Sequence, residues 1–273
     1  VTDARELADI GKAVRARHVA TPMSELLTVA PNDSAAESAE RLRARQFDFA
    51  PAVEESRVQG IFSVADATDG TVADRMAPVQ HDDLVAADTP FTALVEHMAH
   101  REFVLVLNEH EITGMVTRSD LGSAPARTHY YLRLASAEMH LARYVRVRYP
   151  DQSAAVRCLS AARRDAHRVL VESLSASNTY IDDVAALSFA DLVDIAGMDD
   201  QFRDLAQGAS GRGWRWQVDG LVNFRNNLMH PARDVTSLPD FTVAKLVEAE
   251  KRISALSLAA DEVLRLIDRR GNE

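Results

Sequence analysis

The side chains best suited to chemistry stand close together late in the chain, in Arg225-Asn226-Asn227-Leu228-Met229-His230-Pro231. A guanidinium grips a phosphate through a planar fork of donors, and an imidazole moves protons near neutral pH. On a helix of about 100° per residue, Arg225 and His230 lie about 140° apart, so they do not converge as an i, i+4 pair. Asn226 and His230 are four apart and share a face. Pro231 discourages helical geometry at His230. The histidine is therefore expected to end its helix, where the helix dipole favours the charged imidazole. The plainer reading is a capping histidine beside a surface arginine.

A second set pairs hydroxyls with carboxylates. Gly60-Ile61-Phe62-Ser63-Val64-Ala65-Asp66 and Gly114-Met115-Val116-Thr117-Arg118-Ser119-Asp120 both read Gly, two apolar residues, a hydroxyl, two residues, Asp, at a separation of 54 residues. A repeat of that length means two copies of one supersecondary unit. A carboxylate can accept both ribose hydroxyls, and a strand-to-helix junction presents free N–H groups to phosphate. The plainer reading of each pair is a helix N-cap without a ligand.

The elements that position these residues differ between the halves. In the first copy Leu27 to Val29 reads as a short strand, a helix follows to about Gln46, and Ala50 to Val53 and Val58 to Phe62 read as strands. In the second, Leu84 to Ala86 is the short strand and Pro90 opens an amphipathic helix with Phe91, Leu94, Val95 and Met98 inward. Phe103 to Leu107 and Ile112 to Val116 are the paired strands. Small residues at 122–126 mark a hinge. Beyond it only helices are predicted, over 127–148, 152–175, Phe189 to Ile195, Trp214 to His230 and about Asp240 to Asp268. Gly208 to Gly213 reads as a loop. The predicted fold is α+β in the N-terminal half and an all-α bundle after it.

The β-α-β-β-α repeat closed by Gly-x-x-Ser/Thr-x-x-Asp resembles a tandem pair of CBS domains over 1–122, with copies at about 15–70 and 76–122. Thr21-Pro22-Met23 and Met76-Ala77-Pro78 resemble its entry segments. The resemblance implies a pseudo-two-fold module with clefts for an adenine nucleotide such as AMP, ADP or ATP, held by Ser63 and Asp66 in one cleft and by Thr117 and Asp120 in the other. Arg-Asn-x-x-x-His-Pro at the end of the penultimate long helix resembles the HEPN family over 123–273. That resemblance implies a homodimer whose two motifs meet in one metal-independent ribonuclease site. His230 would act as general acid or base, Arg225 would neutralise phosphorane charge, and Asn226 would orient the histidine or the phosphate. The products would be 2′,3′-cyclic phosphate and 5′-OH ends.

Composition limits the alternatives. With 47% hydrophobic and 26% charged residues an ordinary globular core is expected. No apolar run is long enough to span a membrane, and one cysteine, Cys158, rules out an intrachain disulfide framework. A cytoplasmic location is the expectation that follows. The whole net charge of -10 falls in residues 1–122, which carry 11 basic and 21 acidic side chains, so that half is a poor partner for RNA. The second half carries 20 of each, so RNA contact there needs a local patch, for which Arg157, Arg164 and Arg168, or Arg143 and Arg146, are candidates. His97 and His100 lack a converging carboxylate, so no metal site is expected. Three functions remain: a ribonuclease regulated by adenine nucleotide, a nucleotide sensor whose helical half dimerises or holds RNA without cutting, and a ribonuclease restrained by an antitoxin partner.

Overall fold

The computed structural model describes residues 4–67, 69–177, 179, 182–218, 220–230, 236 and 242–270. The chain forms two compact units, one of Ala13–Ala126 and one of Val1–Lys12 with Arg127–Glu273. The first helix, α1 (Ala4–Lys12), which precedes both copies of the repeat, therefore groups with the helical half and not with the rest of 1–122.

The unit of Ala13–Ala126 holds the short helix α2 (Ala16–Val19), strand β1 (Thr21–Pro22), helix α3 (Ala35–Arg43), strands β2 (Phe49–Glu54) and β3 (Arg57–Ser63), and the short helix α4 (Val72–Arg75). Strand β4 (Leu84–Ala86), helix α5 (Phe91–Met98) and strands β5 (Phe103–Asn108) and β6 (Glu111–Thr117) follow. Ser34 caps α3 by accepting from the Glu37 amide. Gln46, expected in that helix, instead takes a positive φ of 58° and turns the chain into β2. The hairpins β2–β3 and β5–β6 share one register: Phe49 opposes Ser63 as Phe103 opposes Thr117, and each ladder slips once at the same place. Their burial patterns are identical, each strand with three consecutive buried residues, so the repeat read from the motifs is a repeat of geometry. Leu27 to Val29 is reduced to a single bridge from Val29 to Ala52.

The entry segments are exchanged between the copies. β1 of the first copy pairs antiparallel with β6 of the second, while Ala77 of the second bridges Ile61 in β3. Between the copies lies an apolar seam of Ile61, Leu105 and Met115, flanked by Phe49, Phe103, Val58 and Ile112. Phe49 and Phe103, equivalent in the two copies, meet with ring centroids 5.2 Å apart. Each hairpin thus buries one face against its twin, which a lone two-stranded ribbon cannot do.

The other unit contains α6 (Ala124–Arg148), α7 (Gln152–Arg157), α8 (Ala161–Ala176), α9 (Phe189–Ala196), α10 (Asp200–Ser210), α11 (Trp214–Val218), α12 (Leu221–Leu228) and α13 (Val243–Arg270). Its core joins Leu141, Tyr144 and Val145 of α6 to buried residues of α9, α10 and α13 such as Phe189, Phe202, Ile253 and Leu256. Three expectations need correction. The hinge at 122–126 is helical from Ala124, because Pro125 fits a first turn, where its missing N–H costs nothing. The helix expected over 152–175 is two, since Ser160 caps a new start. The motif helix is also two, α11 and α12, divided at Gly220, whose φ of 74° only glycine adopts freely. Pro231 and Asp240 lie outside the described residues. Among the described residues no helix is long and apolar enough to cross a membrane.

Candidate functional site

In the α+β unit, Thr117 and Asp120 converge with a third residue. The Thr117 amide and hydroxyl donate to Asp120 Oδ2 at 2.7 and 2.8 Å, and the Thr21 hydroxyl donates to Oδ1 at 3.0 Å. The carboxylate is fixed at the junction where β6 passes into a short 3-10 turn, Ser119–Gly122. Thr117 Oγ1 also lies 2.9 Å from Ser119 Oγ. Sequence reasoning misses Thr21 as a site residue. Its signal is the entry segment itself, which sets Thr21 against Met115 through the exchanged strand.

Gly114 makes this approach possible. A Cβ there would sit 2.6 Å from the Thr21 carbonyl oxygen, closer than real side chains come. Gly60 stands in the same relation to the Ala77 carbonyl, also 2.6 Å. The motif glycine is thus required by the close passage of the entry segment.

The first motif differs in its hydroxyls: Ser63 stands for Thr117 and Ala65 for Ser119. Ala77 stands where Thr21 stands in its twin, so no hydroxyl reaches the motif carboxylate. Ser63 accepts from the Ala65 amide at 3.2 Å and caps the short turn. Asp66 is exposed and bonded to none of the described residues. Ser63 and Asp66 therefore do not join each other, whereas Thr117 and Asp120 do.

In the helical unit, Arg225 and Asn226 lie on α12 and His230 just beyond its end. Tyr130 packs edge-on against Phe224, with centroids 5.3 Å apart, and holds the inner side of α12. Arg127 Nη2 donates to the carbonyls of Leu228 and His230, at 2.7 and 2.9 Å, taking up acceptors a helix end leaves unpaired. His230 is left exposed. Asn226 is exposed as well and bonded to none of the described residues.

Arg225 faces inward toward α6. Its Nη2 lies 3.7 Å from Glu138 Oε2, with side chains about a third exposed, at 30% and 32%. Its Nε is buried without an acceptor among the described residues. Burial raises the Glu138 pKa above the usual carboxylate range, and Arg225 offsets only part of that rise. Arg127 and Glu138 leave no mark in the sequence, since they reach the motif across long spans of chain.

The other candidates are occupied. Arg157 pairs with Asp151, Arg164 donates to the Leu159 carbonyl, and Arg168 pairs with Glu172, so they form no open basic stripe. Trp214 packs edge-on against Phe202 and fills the space over Gly197, while Trp216 lies under the Arg252 guanidinium, 4.5 Å from its centre.

Residues 16–70 match the family model of the CBS domain. Among solved structures, that of CbpB in complex with c-di-AMP is 14% identical, with 43% of this chain and 88% of that chain covered and a TM-score of 0.38. The CBS domain of a bacterial CNNM/CorC family Mg2+ transporter in complex with ATP is 18% identical, covering 44% and 92%, with a TM-score of 0.37. CBSX2 in complex with AMP is 17% identical, covering 39% and 92%, with a TM-score of 0.36. No curated protein matches the chain. The exchanged entry strands, the repeated hairpin and the family match together identify a CBS domain within the α+β part of this protein.

Proposed function

We propose that this protein senses an adenine nucleotide through its α+β unit. The observation that supports this most is the meeting of Thr21, Thr117 and Asp120. Three donors already orient the Asp120 carboxylate, and a carboxylate has about four acceptor sites, so capacity remains for a ribose hydroxyl. Because the group is held in place beforehand, little entropy is lost when a ligand arrives. The first cleft, with Ala77 in place of a hydroxyl and an unheld Asp66, is the weaker of the two. Titration calorimetry with AMP, ADP, ATP and c-di-AMP tests the assignment. Asp120→Asn should weaken the tighter site at least about tenfold, the scale of one lost charge-assisted bond. Asp66→Asn should affect only a weaker site. Unchanged affinity for every nucleotide in both folded variants would refute the proposal.

A second activity, metal-independent RNA cleavage by the helical unit, is favoured by one observation. His230 is solvent-accessible at a helix end that Arg127 clamps, one turn beyond Arg225. In this reading two copies of the chain face each other. One His230 takes the 2′-OH proton as that oxygen attacks phosphorus, and the other protonates the departing 5′-oxygen. Arg225 neutralises the charge gathering on the phosphoryl oxygens, and Asn226 orients the histidine or the phosphate. His230→Ala and Arg225→Ala should each lower cleavage by a factor of about a hundred or more. The check is detection of 2′,3′-cyclic ends, with dimerisation measured alongside. Cleavage undiminished in His230→Ala removes this activity from the protein.

A further inference from the structure

The helical unit contains a groove of about 860 Å³ along α6. Its floor includes Met139 and Leu187, and Arg5, Arg143 and Arg146 stand around it with Glu138. Residues 135–146 of α6 line it over about 16 Å of helix. Residues 123–273 carry basic and acidic side chains in equal number, so RNA contact needs a local excess; Arg5 lies 3.5 Å from Asp261, and the other two guanidinium groups differ. Arg146 is held by Asp182 through two bonds, at 2.7 and 3.0 Å, and is fixed in direction. Arg143 is exposed and paired with none of the described residues. Glu138 carries the groove to Arg225, since its carboxylate both lines the groove and lies against that guanidinium.

The contact between Glu138 and Arg225 is a poor one. At 3.7 Å it is longer than a charge-assisted hydrogen bond, and the Arg225 Nε still lacks an acceptor among the described residues. Glu138 is half-buried, and burial disfavours its charge. A phosphate oxygen entering from the groove would give Arg225 a better partner and return Glu138 to water.

We infer that this groove binds single-stranded RNA, with Arg143 on a phosphate, the apolar floor under the bases, and Glu138 occupying the place on Arg225 that the scissile phosphate takes over. This rests on the RNA-cleaving reading of the helical unit and names the path its substrate follows.

Anisotropy of a short fluorescein-labelled single-stranded RNA, titrated at several salt concentrations with the full chain carrying His230→Ala, tests it without cleavage. Adding Arg143→Ala should weaken binding several-fold and lower the log–log salt slope by about 0.7, the value of one phosphate contact on a single strand. Glu138→Gln should tighten binding. Arg168→Ala, on α8, should change neither. Arg143→Ala with the affinity and slope of its parent would overturn the groove, as would a poly-glutamate peptide that binds there while RNA does not. RNA binding that depends on Arg143, in a chain that forms no cyclic phosphate when His230 is intact, upholds the groove and removes the nuclease. Cleavage that is indifferent to Arg143→Ala and Glu138→Gln removes the groove and leaves the nuclease.

Discussion

Two glycines show how far a motif can be read from sequence. Gly60 and Gly114 are visible as repeat markers, and their equivalence needs only the spacing. Their purpose, letting a foreign entry strand pass 2.6 Å from where a Cβ would lie, depends on a pairing between segments far apart in the chain. Gly114→Ala should therefore push Thr21 away from Asp120. It should cost about 1–3 kcal/mol, the usual range for overpacking against atoms that cannot retreat. Thermal unfolding of the variant measures this, and a melting temperature equal to the parent's would mean the strands tolerate a wider spacing. The same limit explains which site residues are legible. Thr117 and Asp120 announce themselves three apart. Thr21, Glu138 and Arg127 are ordinary residues until the fold brings them to their partners.

Elements are legible where periodicity decides and less so where termini do. The hairpin strands and α5 fall where apolar, β-rich runs and amphipathic spacing predict them. The errors are errors of ends: Gly220 divides one expected helix, Ser160 divides another, and Pro125 starts a helix in place of a hinge. α10 escapes prediction because its glycine-bearing tail, Gly208 to Ser210, reads as loop. Packing between elements follows no local rule. Glu250 of α13 accepts from Arg133 of α6 at 2.8 Å and lies 3.4 Å from His129 Nε2. Burial works to raise its pKa, but His129 and Arg133 more than offset this and hold it below the usual range. A carboxyl depressed by folding stabilises above its unfolded pKa, and that contribution is lost as pH falls through the lower folded value. Glu250→Gln should thus be destabilising by about 3 kcal/mol near neutrality. The deficit should shrink once the pH drops below about 4. Melting curves of both proteins across that range decide it, and a deficit independent of pH would assign the loss to packing.

At the scale of the whole chain, the shift from a strongly acidic half to a neutral one already marks a division of labour in the composition. It does not mark where α1 belongs. Composition cannot reveal that α1 groups with helices more than a hundred positions later, because the links are tertiary: the Ser136 hydroxyl donates to the Ala4 carbonyl at 2.6 Å, and Arg5 lies 3.5 Å from Asp261. The Gly11 carbonyl lies 2.9 Å from His129 Nδ1, and a Cβ on Gly11 would meet Leu132 at 3.3 Å. The chain thus leaves the helical unit at Lys12 and re-enters it at Arg127 with its departing and returning segments side by side. The intervening stretch, Ala13–Ala126, departs and returns at neighbouring points, so excising it would need only a short bridge between the two cut ends.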